Sequence, residues 1–214
     1  MTYREAILLG ESILQKAKIV DAKNDAWLLL AMACRINHTY YYVHMDEEMS
    51  QEQIREYQAL LSKRAERIPL QYIVGEQEFM GLTFSVNEHV LIPRQDTEVL
   101  VEEVMKNLHD GFRILDLCTG SGCILLSLLH YSNDCSGVGA DLSEEALEVA
   151  RKNAEQLGEN SALFVQGDLF APVEGKFDII VSNPPYICSD VIPTLMEEVR
   201  EHEPMQALDG GADG

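Results

Sequence analysis

Basic residues are scarce in this chain. Sixteen Lys and Arg stand against 36 Asp and Glu, a formal net charge of −20. That balance speaks against a surface built to neutralise nucleic-acid phosphates, so no direct nucleic-acid partner is expected. A protein partner with a basic contact surface is easier to accommodate, and solvated acidity accounts for many of the carboxylates equally well. Long apolar runs are also missing: none approaches the roughly 18 residues of a bilayer span. The stretch Met1-Thr2-Tyr3-Arg4-Glu5 opens an amphipathic pattern instead of a charged leader before an apolar core, so neither a signal peptide nor a membrane partner is expected, and the expected location is cytoplasmic. The five cysteines, Cys34, Cys118, Cys123, Cys135 and Cys188, are odd in number and lack Cys-x-x-Cys spacing. They argue against a disulfide framework or a zinc site, and reduced, mostly buried thiols are expected. Repeats and low-complexity segments are absent.

What is present divides by pattern. Residues 2 to about 70 read as a small helical unit. Thr2 and Glu5 have capping-box spacing, and Ala6, Leu9, Ile13 and Ala17 share a helical face. A second helix over about Asp25–Arg35, with Trp27, Leu28, Leu30, Ala31 and Cys34, is expected at the centre of the unit. Ser50 and Gln53 cap a further helix bearing Ile54, Tyr57, Leu61 and Ala65, which Pro69 stops. His38 and His44 beside Tyr40-Tyr41-Tyr42 read as a packed loop more readily than as a metal site. Residues 71–92 change character: Gln77–Met80 and Leu82–Val86 alternate like a hairpin with Gly81 at the turn, and the stretch reads as a connector. A helix over about Asp96–Leu108 is expected to turn Val99, Leu100 and Val104 inward.

From Phe112 the pattern is strand, glycine turn, helix, repeated. Strands are expected at Arg113–Cys118, Gly137–Asp141, Ala162–Gln166 and from Phe177 to Val181. The helix after Ser143 carries a buried stripe of Leu147, Ala150, Ala154 and Leu157, and Gly158 ends it. Such alternation predicts a parallel, doubly wound α/β sheet.

Gly120-x-Gly122 between a strand and a helix lets backbone approach a ligand closely, and Asp141, about 20 residues on, can bind ribose hydroxyls. The third small residue of a dinucleotide fingerprint is replaced by Leu125, which disfavours a pyrophosphate. A nucleoside cofactor without phosphates fits better, with Asp116 and the turn near an amino-acid tail, and Asp168 with Leu169 beside the adenine. Downstream, the apolar strand from Phe177 stops at Asn183-Pro184-Pro185-Tyr186. The prolines hold Asn183 extended, so its amide and the following carbonyls point out of the strand's carboxyl end. That end is where ligands bind in open α/β sheets. Acceptors without a charged base, plus one aromatic face, suit a planar NH2 group. A polar turn with no chemistry is the competing reading of these four residues taken alone.

Asp116-Leu117-Cys118-Thr119-Gly120-Ser121-Gly122, Asp141 and Asn183-Pro184-Pro185-Tyr186 resemble the S-adenosylmethionine-dependent methyltransferases of planar amino groups. Gln71-Tyr72-Ile73-Val74-Gly75, Phe79-Met80-Gly81, Val90-Leu91-Ile92-Pro93-Arg94 and Asp96-Thr97-Glu98 narrow the resemblance to the release factor glutamine methyltransferases, the HemK/PrmC family. The resemblance implies a Rossmann-like methyltransferase domain over 93–214, a hairpin linker over 71–92 and a helical substrate-recognition domain over 1–70. It implies methyl transfer from S-adenosylmethionine to the Gly-Gly-Gln glutamine of peptide chain release factors. Asp116, Cys118, Thr119, Gly120, Ser121, Gly122, Asp141, Asp168, Leu169 and Asn183 would then hold the cofactor. Asn183, Pro184 and Tyr186 would serve catalysis, and Asn183, Pro184, Pro185, Tyr186 and Arg94 would contact substrate; Arg94 could equally pair with a carboxylate. Cys118 stands where the family often has Gly, Gln95 where Pro is frequent, and Leu169 where an aromatic can cover the adenine. Four strands are recognisable where the methyltransferase fold uses seven, so the chain is expected to be truncated, with the Phe177 strand as an apolar edge. The alternatives are an adenine-N6 nucleic-acid methyltransferase, which the charge disfavours, and an S-adenosylmethionine-binding module without turnover. A nicotinamide dehydrogenase is disfavoured by Leu125.

Overall fold

The computed structural model describes residues 1–214 as two units, Met1–Val74 and Gly75–Gly214. The charge divides unevenly between them. Nine of the 16 basic and ten of the 36 acidic residues lie in the first unit, so the second carries nearly all of the −20. No helix is long and apolar enough to cross a membrane.

The first unit comprises α1 (Tyr3–Lys16), α2 (Ala22–Cys34), α3 (His38–His44), α4 (Gln51–Ala65) and α5 (Leu70–Val74). Both expected capping boxes form: the Thr2 hydroxyl accepts from Glu5 N and the Ser50 hydroxyl from Gln53 N, each at 3.2 Å. Helix α2 buries Ala26, Leu29, Leu30 and Ala33, with Leu14 of α1 and Tyr57 and Leu61 of α4 in the same cluster. Each large apolar side chain so buried contributes about 1.5–3 kcal/mol. Leu28 is left partly exposed, so the apolar circumference of α2 is narrower than its composition suggests. The nearly buried Arg64 donates from Nε to Asp25 Oδ2 at 2.7 Å, tying α4 to α2. His38–His44 is a helix and not a loop, because Asn37 Oδ1 accepts from Tyr40 N at 2.9 Å and caps it. Its histidines are taken up in stacks: His38 on Trp27 at 4.0 Å between ring centroids and His44 on Tyr40 at 4.2 Å.

The second unit begins with a hairpin, β1 (Glu76–Phe79) and β2 (Leu82–Ser85), turned by Met80 and Gly81 at positive φ. It is more than a connector. Phe79 and Phe84 are fully buried in the main core with Ile114, Leu125 and Leu128. Met80 N donates to Glu98 Oε1 at 2.7 Å, and the Tyr131 hydroxyl donates to Met80 O at 2.6 Å. Helix α6 (Gln95–Met105) buries Val101, with Leu100, Val104 and Met105 packed on the same cluster. Val99, expected inward, is 57% exposed, because those four residues centre the apolar stripe on the far side of it.

Then follow β3 (Arg113–Leu117), α7 (Cys123–His130), β4 (Ser136–Asp141), α8 (Glu144–Leu157), β5 (Ala162–Gln166) and β6 (Ile179–Ser182). The four strands are parallel in the order β5-β4-β3-β6. Leu125 is fully buried and its Cδ1 would lie 2.4 Å from a Cβ on Gly137, so the small residue that brings α7 close to the sheet stands on the strand. Strand β6 is an edge: Val181 is buried, but Ile180 is 55% exposed, so the strand is not covered on both faces. Beyond it lie β7 (Ile187–Cys188), a 3-10 turn at Ile192–Thr194, α9 (Glu197–His202), α10 (Met205–Leu208) and β8 (Asp209–Gly211), with β7 and β8 parallel. Of the cysteines, Cys123 and Cys135 are buried and the other three are half-buried, all of them free thiols.

Gly10 tests the packing of the first unit. A Cβ there would lie 2.0 Å from the Tyr57 hydroxyl oxygen, which donates to Ala26 O at 3.1 Å. Helix propensity alone predicts that Gly10→Ala stabilises α1 by about 1 kcal/mol. The overlap reverses the sign, and a net loss of about 1–3 kcal/mol is expected, read from urea unfolding by the fluorescence of Trp27, the single tryptophan.

Candidate active site

The pairing of β3 places the site. Leu117 pairs with Ala140 on one side and Ser182 on the other, so Cys118, Asp141 and Asn183 follow from neighbouring strand ends. The Ser182 hydroxyl donates to Leu117 O at 2.9 Å and pins β6 to β3 just before Asn183. The turn after β3 has three residues at positive φ: Cys118 (+59°), Gly120 (+55°) and Gly122 (+79°), the last capping α7. A Cβ on Gly122 would meet Ala150 at 3.3 Å, so this glycine lets the turn settle on α8. Asp141 braces the turn from the next strand: its Oδ2 accepts from Gly120 N at 2.9 Å and its Oδ1 from Ser143 N at 3.0 Å.

A cavity of about 590 Å³ opens at these strand ends. Of the expected cofactor residues, Cys118, Thr119, Gly120, Ser121, Asp141, Asp168, Leu169 and Asn183 line it; of the expected substrate residues, Arg94, Pro184 and Pro185 do. Gly122 lies behind the wall, and so does Asp116, which is fully buried. Asp116 supports the turn, its Oδ2 accepting from the Thr119 hydroxyl at 2.6 Å. Burial pushes its carboxyl up to about 7 against that hydrogen bond.

Tyr186 is 68% exposed and lines a separate cavity of about 130 Å³, shared with Asn183, Pro184, Arg94 and Thr97. The Asn183-Pro184 corner therefore stands between a large cavity and a small one. Asn183 is half-buried there, and no hydrogen bond within the chain engages its amide. Strand β8 braces the corner closely: a Cβ on Gly210 would lie 2.9 Å from Pro185 O.

Two walls of the large cavity were not among the expected cofactor or substrate residues, although Val90 and Leu91 belong to a segment that carries the family resemblance. Glu88, His89, Val90 and Leu91 form one, just after the hairpin; Pro204, Gln206, Ala207, Asp209 and Gly210 form the other. Arg94 does both things expected of it, since it lines the cavity and pairs with Glu203, whose carboxylate is buried. Desolvation pushes that carboxyl above its usual range although Arg94 opposes the shift. Glu203 precedes Pro204, so the pair fastens the second wall to the Pro93–Arg94 segment.

Comparison with known proteins gives the site a lineage. Residues 5–75 match the family model of the PrmC N-terminal domain, and residues 94–202 match that of the methyltransferase small domain. The whole chain is 41% identical to a release factor glutamine methyltransferase of Geobacter sulfurreducens, covering 75% of that protein. It is 40% identical to one from Agrobacterium fabrum, covering 76%, and 42% identical to one from Moorella thermoacetica, covering 77%. The chain belongs to the release factor glutamine methyltransferase family. Its second unit is thus a methyltransferase unit, with the parallel sheet and strand-end cavity that a Rossmann-like fold provides.

Two predictions concern this family member's glycine turn. Cys118 holds a left-handed conformation that costs an L-residue roughly 1–2 kcal/mol, partly offset by the freedom glycine adds to the unfolded chain. Cys118→Gly is expected to raise stability by up to about 1 kcal/mol, visible as a higher urea midpoint for the second unit. For Asp116 the native carboxyl, raised to about 7, keeps a proton that the unfolded chain releases near its ordinary value of 3.8. Stability is therefore lost as pH rises between those values and levels off above them. Asp116→Asn is expected to remove that slope, and urea midpoints of both proteins from pH 4 to 8 give the comparison.

Proposed function

We propose that this chain transfers the methyl group of S-adenosylmethionine to the side-chain nitrogen of the glutamine in the Gly-Gly-Gln loop of peptide chain release factors. The observation that carries the reading is the placement of Asn183 and Pro184 on the wall of the cavity that also contains the glycine turn. The lining suits the methyl donor. Five acidic residues line the cavity, Glu88, Asp141, Glu145, Asp168 and Asp209, and its one Arg, Arg94, is opposed by Glu203. Such a wall favours sulfonium and ammonium groups and hydroxyl donors, and opposes a pyrophosphate. Ile124, Ala140, Leu142 and Leu169 add apolar surface for a base. Bound there, the donor supplies an electrophilic methyl group.

The chain's own residues then deal with a poor nucleophile, an amide nitrogen whose lone pair is delocalised. The Asn183 side-chain oxygen and the Pro184 carbonyl accept the two amide hydrogens and fix the nitrogen's direction, and Tyr186 covers the amide plane. Alignment of this kind reaches effective molarities of roughly 10⁵–10⁸ M. The same acceptors strengthen as the nitrogen gains positive charge. Two prolines hold these groups in place before substrate arrives. An acidic wall on an acidic unit disfavours a nucleic-acid acceptor.

The direct test is incubation with a purified release factor and S-adenosylmethionine, followed by peptide mass spectrometry. One methyl group on the Gly-Gly-Gln glutamine is expected, and methylation of adenine in nucleic acid instead would overturn the acceptor assignment. Asn183→Ala should keep donor affinity within about threefold and cut turnover by 10²-fold or more, the loss seen when one aligned polar group is removed. Unchanged turnover would remove Asn183 from the mechanism.

A further inference from the structure

We infer that Asn153 is a positioning residue that holds two walls of the donor cavity in register. It lies on α8, fully buried, among apolar residues of a helix whose remaining polar side chains mostly face outward. Its amide makes three hydrogen bonds, none of them within α8. Asn153 Oδ1 accepts from Ser85 N at 2.7 Å, and Nδ2 donates to Ser85 O at 3.1 Å and to Ser121 O at 2.9 Å. One side chain thus takes both backbone groups of the last hairpin residue and the backbone carbonyl of the glycine turn.

These two attachment points lead to different walls. Three residues after Ser85 begins the stretch Glu88–Leu91, which lines one side of the cavity, while Ser121 belongs to the Cys118–Ser121 turn, which lines another. Ser85 is further tied to α8 through its hydroxyl, which donates to Gln156 Oε1 at 3.2 Å. Ala150, one helical turn before Asn153, is the residue on which Gly122 packs. Helix α8 is therefore a common base for both walls, and Asn153 is its polar clamp. Burying a carboxamide with three satisfied bonds is tolerable; removing it leaves the Ser85 N–H, the Ser85 carbonyl and the Ser121 carbonyl to find other partners.

A clamp of this kind acts on donor affinity more than on the alignment of the acceptor, which Asn183 and the prolines control from another strand. The donor arm of the test rests on the methyl-donor reading above; the exchange arm needs no ligand. In the ligand-free protein, hydrogen exchange at residues 86–91 and 119–124 is compared for wild type, Asn153→Ala, Asn153→Asp and the control Val101→Ala, a core change outside the cavity. Both Asn153 variants are expected to exchange at least tenfold faster in both segments, and the control, compared at equal distance below its thermal midpoint, in neither. Calorimetry with S-adenosylmethionine is expected to show at least tenfold weaker binding for Asn153→Ala, with kcat at saturating donor within threefold of wild type. Faster exchange in one segment only, or the same pattern in Val101→Ala, would overturn the inference. Wild type that fails to bind S-adenosylmethionine would sink the donor reading, leaving the exchange result to decide the clamp.

Discussion

Strand β3 is hydrogen-bonded on both sides, to β4 and to β6, and the chain reaches those neighbours by connections that leave in opposite directions. Where the directions part, no connection covers the strand ends, and a crevice must remain. The order β5-β4-β3-β6 puts that crevice between Cys118 and Asn183. A turn that can approach a cofactor and a corner that can hold an amide thus lie side by side, although 65 positions separate Cys118 from Asn183 in sequence. Each then needs only local chemistry: positive φ and an Asp141 brace on one side, two prolines and a Ser182 pin on the other.

Much of this was legible in the residues. The helix of Cys123–His130, the strand of Ala162–Gln166 and the capping residues Thr2, Ser50 and Ser143 follow from short-range rules, because apolar period, caps and glycine stops act within a few positions. The glycine turn and the proline corner were legible for the same reason. What stayed hidden depends on partners distant in sequence. Asp116 occupies a motif position associated with cofactor contact, yet its direction is set by Thr119 and the packing behind the turn. Val99 and Val101 are alike in composition, and only the hairpin's two phenylalanines and the neighbouring core decide which face of α6 is buried. The walls at Glu88–Leu91 and Pro204–Gly210 carry no chemistry-bearing spacing that marks them as cavity lining; the ion pair of Arg94 with the buried Glu203 fastens the second of them.

Three buried polar groups share one role. Asp25, Asn153 and Glu203 are each removed from water, and each holds together segments far apart in sequence. Apolar packing gives adhesion with little directional preference, whereas these contacts demand particular atoms at particular distances. A polar residue on an otherwise apolar helix face was the one sequence sign available for Asn153, and a stripe defined only by hydrophobicity passes over it.

The division of charge between the two units has a thermodynamic consequence. Nearly all of the −20 resides in Gly75–Gly214, so that unit carries a self-repulsion that favours expansion, while Met1–Val74 is close to neutral. Added salt shortens the reach of that repulsion, to about 8 Å at physiological ionic strength. Ionic strength is therefore a selective variable for this chain, strengthening the methyltransferase unit while leaving the helical unit nearly indifferent, and which half melts first becomes a property of the solvent as much as of the fold.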